Sequence, residues 1–150
     1  PYPMDTGSVA VFNRLYYLSH AFPNMAVLTG YELGLSKLLK DGADGWLNTP
    51  IVSREASGTS GMTAAMNGAV NISTNDGWIC EFAKPGENSF LVPTADPQLP
   101  WYARDEADRD GLFDLLENHV LPTYYDRPAE WQALVLRSMN DVNAYFGANR

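Results

Sequence analysis

The chain predicts an α/β domain, a parallel sheet with flanking helices, and three observations predict it. Short apolar runs bounded by Gly, Pro or Asn alternate with stretches whose apolar residues recur at helical spacing. The alternation is tight enough for crossover helices to join parallel strands, so ligands are expected beyond the strands' C-terminal ends. A glycine-spaced run of small polar residues, 54–62, falls at such a place, between a strand and a helix.

Taken in order, Ser8 is placed to cap a first helix whose Val9, Phe12, Leu15 and Tyr16 lie near one face, with Pro23-Asn24 beyond its end. The apolar run 25–29, bounded by Pro and Gly, predicts a short buried strand. Leu35, Leu38 and Leu39 give a short helix ending near Gly42, and Trp46-Leu47-Asn48 is the next strand. A helix from Ser60 carries Met62, Ala65, Met66 and Ala69 on one face and closes at Asn67-Gly68; residues 69–73 then form a strand.

Asn75-Asp76-Gly77 is a turn in which Asp76 helps to position the neighbouring loop or serves the turn alone, and Trp78 either packs or stacks on a sugar. Residues 84–88 turn again, and 89–93 form a last strand. The acidic stretch 94–110 reads as an exposed loop entering a helix; it lacks the ligand order of a hard-cation loop, so no metal site is expected. Leu112, Leu115, Leu116 and Val120 mark a helix that Pro122 closes, with His119 packed beside its apolar face and His20 without context. Pro128 starts a final helix with a stripe of Trp131, Leu134, Val135, Ser138, Val142 and Tyr145.

The chemistry concentrates at Glu55-Ala56-Ser57-Gly58-Thr59-Ser60-Gly61-Met62. Unpaired N–H groups at a helix N-terminus favour phosphate or sugar oxygens, and a carboxylate at Glu55 accepts bonds from ligand hydroxyls. The same residues also read as a helix cap and a turn, without any ligand. A P-loop is excluded because no lysine follows the glycines, and a nucleophile elbow because Ser60 and Gly61 are adjacent. The net charge of −8 argues against a nucleic-acid surface, and no apolar run approaches a membrane span. Cys80, the single cysteine, excludes an internal disulfide and suits a reducing compartment; it also fits a small core position.

Several motifs occur together in a fixed order: Trp46-Leu47-Asn48-Thr49-Pro50, the Glu55 to Met62 run, Ala65-Met66-Asn67-Gly68 and Asp76-Gly77-Trp78. With Tyr2-Pro3, Gly30-Tyr31-Glu32, Leu116-Glu117-Asn118, Val120-Leu121-Pro122 and residues 146–150, they cover nearly the whole chain. In this the sequence resembles the C-terminal domain of the α-glucan (glycogen and maltodextrin) phosphorylases, nearest the bacterial branch. The resemblance implies a Rossmann-like domain, the C-terminal half of a two-domain GT-B glycosyltransferase. The chain is then expected to be a piece of a longer protein whose N-terminal domain it lacks, and to be inactive alone.

The implied reaction is reversible: phosphate and a terminal α-1,4-linked glucosyl unit of glycogen, starch or maltodextrin give glucose 1-phosphate. By resemblance, Glu55 holds sugar hydroxyls and Ala56, Ser57 and Gly58 complete the sugar contacts. Thr59, Ser60 and Gly61 match the segment beside the phosphate of pyridoxal 5'-phosphate, the family's cofactor. Where the family has the lysine that binds that cofactor, this chain has Thr63, which carries no amine. No catalytic base or nucleophile is named within the chain. The resemblance further implies a cytoplasmic parent, α-glucan and phosphate or a sugar-phosphate donor as partners, and leaves a homo-oligomeric parent open. Two rival readings remain: a nucleotide-sugar-dependent glucan synthase, and a silent glucan-binding or regulatory protein in which Thr63 marks loss of chemistry.

Overall fold

The computed structural model describes residues 4–148 and separates into two compact units, one ending at Ser36 and one starting at Lys37. Tyr2-Pro3 and the last two residues of the 146–150 segment lie outside the described residues.

In the first unit, helix α1 (Thr6–Ala21) is capped by Asp5 and not by Ser8. Asp5 Oδ1 accepts the Ser8 N–H at 3.0 Å, and the Ser8 hydroxyl donates to Asp5 Oδ2 at 2.7 Å. A carboxylate one turn ahead outcompetes the serine, which becomes its partner inside the first turn. The 25–29 run is not a strand, and its Leu28 is 54% exposed. An apolar run becomes a strand only where a neighbour takes its backbone groups, and no described strand pairs with it.

Helix α2 (Leu33–Gly42) ends where Gly42 is expected to end it. The second unit then runs β1 (Gly45–Asn48), α3 (Thr59–Met66), β2 (Val70–Ser73), α4 (Ile79–Phe82), β3 (Ser89–Leu91), α5 (Trp101–Leu115), a π turn (Leu116–Val120), α6 (Leu121–Asp126) and α7 (Pro128–Phe146). The sheet has order β1-β2-β3 and both pairings are parallel, as expected from the alternation of elements. All four residues of the central strand β2 are buried, which parallel strands covered on both faces require. Val70 and Ile72 join Phe90, Val120, Trp131 and Leu134 in one cluster, whereas Asn71, between them in sequence, reaches α3. A second cluster unites Ala65 of α3, Trp78, Ile79 and Phe82 around α4, and Val142 of α7.

Four expectations fail in the C-terminal part. The acidic run lies not in the loop but inside α5, which starts at Trp101, because the helix that packs Leu112 and Leu115 on the first cluster extends back through it to Pro100. Pro122 does not close a helix. The π turn before it lets Leu121 N–H donate to Leu116 O, five residues back, and the widened turn accommodates a proline in the first turn of α6. The same turn leaves His119 exposed instead of packed. On α7 the stripe holds at Trp131, Leu134, Ser138 and Val142, but Tyr145 is exposed and Phe146 takes its place against the second cluster.

Candidate functional site

The loops that leave β1 and β2 both emerge at the C-terminal end of the sheet. Thr74 joins them: its N–H donates to Asn48 O at 3.2 Å and its hydroxyl to Pro50 O at 2.8 Å. The Glu55 loop follows, and α3 begins directly after it. Gly58 is the helix N-cap at φ 96° with no side-chain cap, so the first amides of the helix have no intrahelical acceptor. The Gly61 N–H is already used by Gly58 O at 3.1 Å, which leaves Thr59 and Ser60 to offer theirs.

The sequence-predicted residues are brought together here. Glu55 and Ser60 are half-buried, Ala56, Ser57 and Thr59 are exposed, and Gly61 is buried. The Glu55 carboxylate lies against the start of α3: a Cβ placed on Gly58 would sit 3.3 Å from Glu55 Oε1. From the β2 loop, Asp76 Oδ2 accepts the Arg54 N–H at 2.9 Å and the Glu55 N–H at 2.8 Å. The Glu55 amide is the main reason that the Asp76 carboxyl is held below its ordinary range; desolvation opposes it, and the Gly77, Ser53 and Arg54 amides add to it. Since the folded value is depressed, this contribution is complete above about pH 4 and is lost as pH falls through the folded value.

Trp78 is 3% exposed, so it packs and does not stack on a ligand. Its ring runs under the start of α3, where only a glycine fits. A Cβ on Gly61 would lie 2.9 Å from the ring and 2.8 Å from Asn71 Oδ1. Asn71 Nδ2 donates to Gly61 O at 3.1 Å. Ser53, with φ 75°, is a non-glycine residue in the left-handed region of the turn that Arg54 N–H closes onto Ile51 O. Ser53→Gly is expected to raise stability by about 0.5–1 kcal/mol through relief of that conformation, as read from the midpoint of urea unfolding.

Thr63 lies one turn into α3, half-buried, and its hydroxyl is within 3.1 Å of both Thr59 O and Ser60 O. The side chain is thus turned back onto its own helix. Lys84 is engaged by Asp141 at 2.9 Å and Lys37 by Asp41. Covalent attachment of pyridoxal phosphate through an aldimine does not fit the residue present at position 63. Among the described residues there is no group of three or more His, Cys, Asp or Glu able to hold a metal, and no helix is long and apolar enough to cross a membrane.

Sequence reasoning missed a concavity away from the Glu55 loop. A cleft of about 480 Å³ lies beside the residues that precede β3, at the opposite end of the strands from Glu55, with His119, Arg127, Arg137, Phe90 and Leu134 in its wall. Its arginines are paired, Arg127 with Glu130 at 3.1 Å and Arg137 with Glu87 at 3.3 Å. The π turn that exposes His119 there leaves no signal in the residue pattern. Cys80, on α4, is exposed and not a core residue.

No family model matches the chain. It is 38% identical over 151 residues to an uncharacterized protein of Methanocaldococcus jannaschii, an alignment covering all of this chain and 28% of that protein. It is 33% identical over 157 residues to a glycogen phosphorylase of Mycobacterium tuberculosis and 33% identical over 152 residues to a maltodextrin phosphorylase of Thermococcus litoralis; each alignment covers 99% of this chain and 18% of the phosphorylase. The chain therefore spans less than a third of the length of these relatives and resembles one part of a phosphorylase.

Proposed function

We propose that this chain is the sugar-binding part of the C-terminal domain of an α-glucan glucosyltransferase of the phosphorylase type. In this reading the parent protein transfers a terminal α-1,4-linked glucosyl unit of glycogen, starch or maltodextrin to phosphate, giving glucose 1-phosphate, and runs the reverse reaction. The observation that carries it is Glu55, its backbone held by Asp76 and its carboxylate left free among the described residues beside the uncapped start of α3, at the C-terminal end of a parallel sheet. A carboxylate accepts hydrogen bonds from sugar hydroxyls, and the Thr59 and Ser60 amides at the positive end of the helix suit a phosphate.

The division of roles is the one that the resemblance to the phosphorylases implies. Glu55, with Ala56, Ser57 and Gly58, binds and orients the glucosyl unit; Thr59, Ser60 and Gly61 form the turn that faces the anion. The chemical step needs groups from a second domain across a cleft, in the manner of a GT-B pair, and the isolated chain is inactive. A cytoplasmic, reducing setting suits the exposed thiol of Cys80.

The test incubates the full-length parent with maltodextrin and inorganic phosphate, with and without added pyridoxal phosphate, and measures glucose 1-phosphate. Product in either case supports phosphorolysis. Glucan binding without product supports a second reading, a silent glucan-binding protein, which is favoured by Thr63 with its hydroxyl tied back to Thr59 O and Ser60 O. No glucose 1-phosphate, but extension of the glucan with release of nucleotide when a nucleotide-sugar donor is supplied, would replace phosphorolysis with glucan synthesis.

A further inference from the structure

We propose that Asp76 is the positioning residue of the Glu55 site: its carboxylate, carried on the loop after β2, sets the backbone from which Glu55 reaches the glucosyl unit. This rests on the sugar-binding reading given above. Two residues of one loop hold three of the other. Asp76 Oδ2 takes the N–H groups of Arg54 and Glu55 at 2.9 and 2.8 Å, and Trp78 N–H donates to Ser57 O at 2.7 Å. Between them Gly77, at φ 66°, lets the loops touch: a Cβ there would lie 2.6 Å from Ser57 O and 2.8 Å from Glu55 Cγ.

The charge of Asp76 matters to this geometry, since one ionised oxygen receives two amides and bonds to an ionised acceptor are roughly twice as strong as neutral ones. The loop has no regular secondary structure from Pro50 to Gly58, so these contacts take the place of a ladder or helix in fixing it. Asp76 does not itself need to meet the sugar. Its effect on binding passes through Glu55, and that makes the two residues non-additive.

The experiment titrates glucose 1-phosphate into the full-length protein and into its Asp76→Ala, Asp76→Asn, Glu55→Ala and Asp76→Ala/Glu55→Ala variants. Amide hydrogen exchange of residues 54 and 55 is followed in the wild type and the two Asp76 variants. Asp76→Ala is expected to weaken binding about tenfold and to speed exchange at both amides. Asp76→Asn, which keeps an acceptor oxygen but not the charge, is expected to recover about half of each loss, and the double variant to bind no more weakly than Glu55→Ala alone. A merely structural role would give additive losses in the double variant, and that result overturns the proposal. So does unchanged exchange in Asp76→Ala. If the wild type fails to bind glucose 1-phosphate while Asp76→Ala still loses protection, the glucosyl reading falls, and with it the positioning role toward sugar, but the loop anchor stands as fact.

Discussion

Trp78→Ala is expected to lower the stability of the full-length protein by about 3–5 kcal/mol, the range for removing a large buried aromatic side chain. The ring is 3% exposed and stacks on Phe82 with centroids 4.8 Å apart, while Phe146 meets it edge-on at 5.6 Å. It also underlies Gly58 and Gly61, whose absent side chains leave the room it fills. The cavity left by alanine therefore opens beneath the start of α3, and ligand binding at Glu55 is expected to weaken together with stability. Urea unfolding followed by circular dichroism measures the first effect. A loss below about 1 kcal/mol would show that the ring does not support this part of the fold.

Asn88→Ala has the second largest expected effect, a loss of about 3 kcal/mol. Asn88 is fully buried. Its Oδ1 accepts from Lys84 N–H at 2.7 Å and from the Ser89 hydroxyl at 3.0 Å; its Nδ2 donates to Phe82 O and Asp141 Oδ2, both at 3.0 Å. One side chain thus fastens the end of α4, the following turn, the start of β3 and helix α7. Alanine leaves several of these groups buried without a partner, which costs more than the bonds themselves stabilise. Burial alone would raise the Asp141 carboxyl, but bonds from Lys84 and Asn88 and the charges of Lys84 and Arg137 outweigh it and hold it low. With its folded value depressed, the Asp141 contribution is present above about pH 4 and fades as pH falls through the folded value. An unfolding midpoint for Asn88→Ala equal to that of the wild type would contradict this account.

Much of the second unit was legible because its elements announce themselves locally. The parallel strands β1, β2 and β3 are short apolar runs between turns, α3 starts at its glycines and closes at Asn67-Gly68, and α7 begins at Pro128 with its core stripe largely in place. What failed depended on partners or on register. Residues 25–29 have the composition of a strand but no neighbour to pair with. The π turn at Leu116–Val120 shifts the helix by a fraction of a turn, which spares Pro122 and turns His119 outward.

The candidate site divides in the same way. Glu55, the glycines and the start of α3 lie within one short stretch, so their association could be read from spacing. The Asp76 anchor joins residues 21 and 22 positions apart. Asp76 reads in the sequence equally as a loop-positioning or a turn-forming aspartate, and nothing in the spacing of 54–55 and 76 says which amides it would meet. Nor does the sequence show that Trp78 lies beneath the helix start, where its ring meets both Gly58 and Gly61.

The most direct test of the central claim is calorimetric titration of glucose 1-phosphate into the full-length protein and its Glu55→Ala variant, with the thermal midpoint of each recorded. Glu55 is half-buried and its side chain takes part in none of the hydrogen bonds or ion pairs found among the described residues, so the midpoint is expected to stay within about 2 °C. Removal of a charged acceptor from sugar hydroxyls is expected to weaken binding roughly ten- to a hundredfold, equivalent to about 1.5–3 kcal/mol. An unchanged affinity at an unchanged midpoint would contradict the assignment of Glu55 to the glucosyl unit.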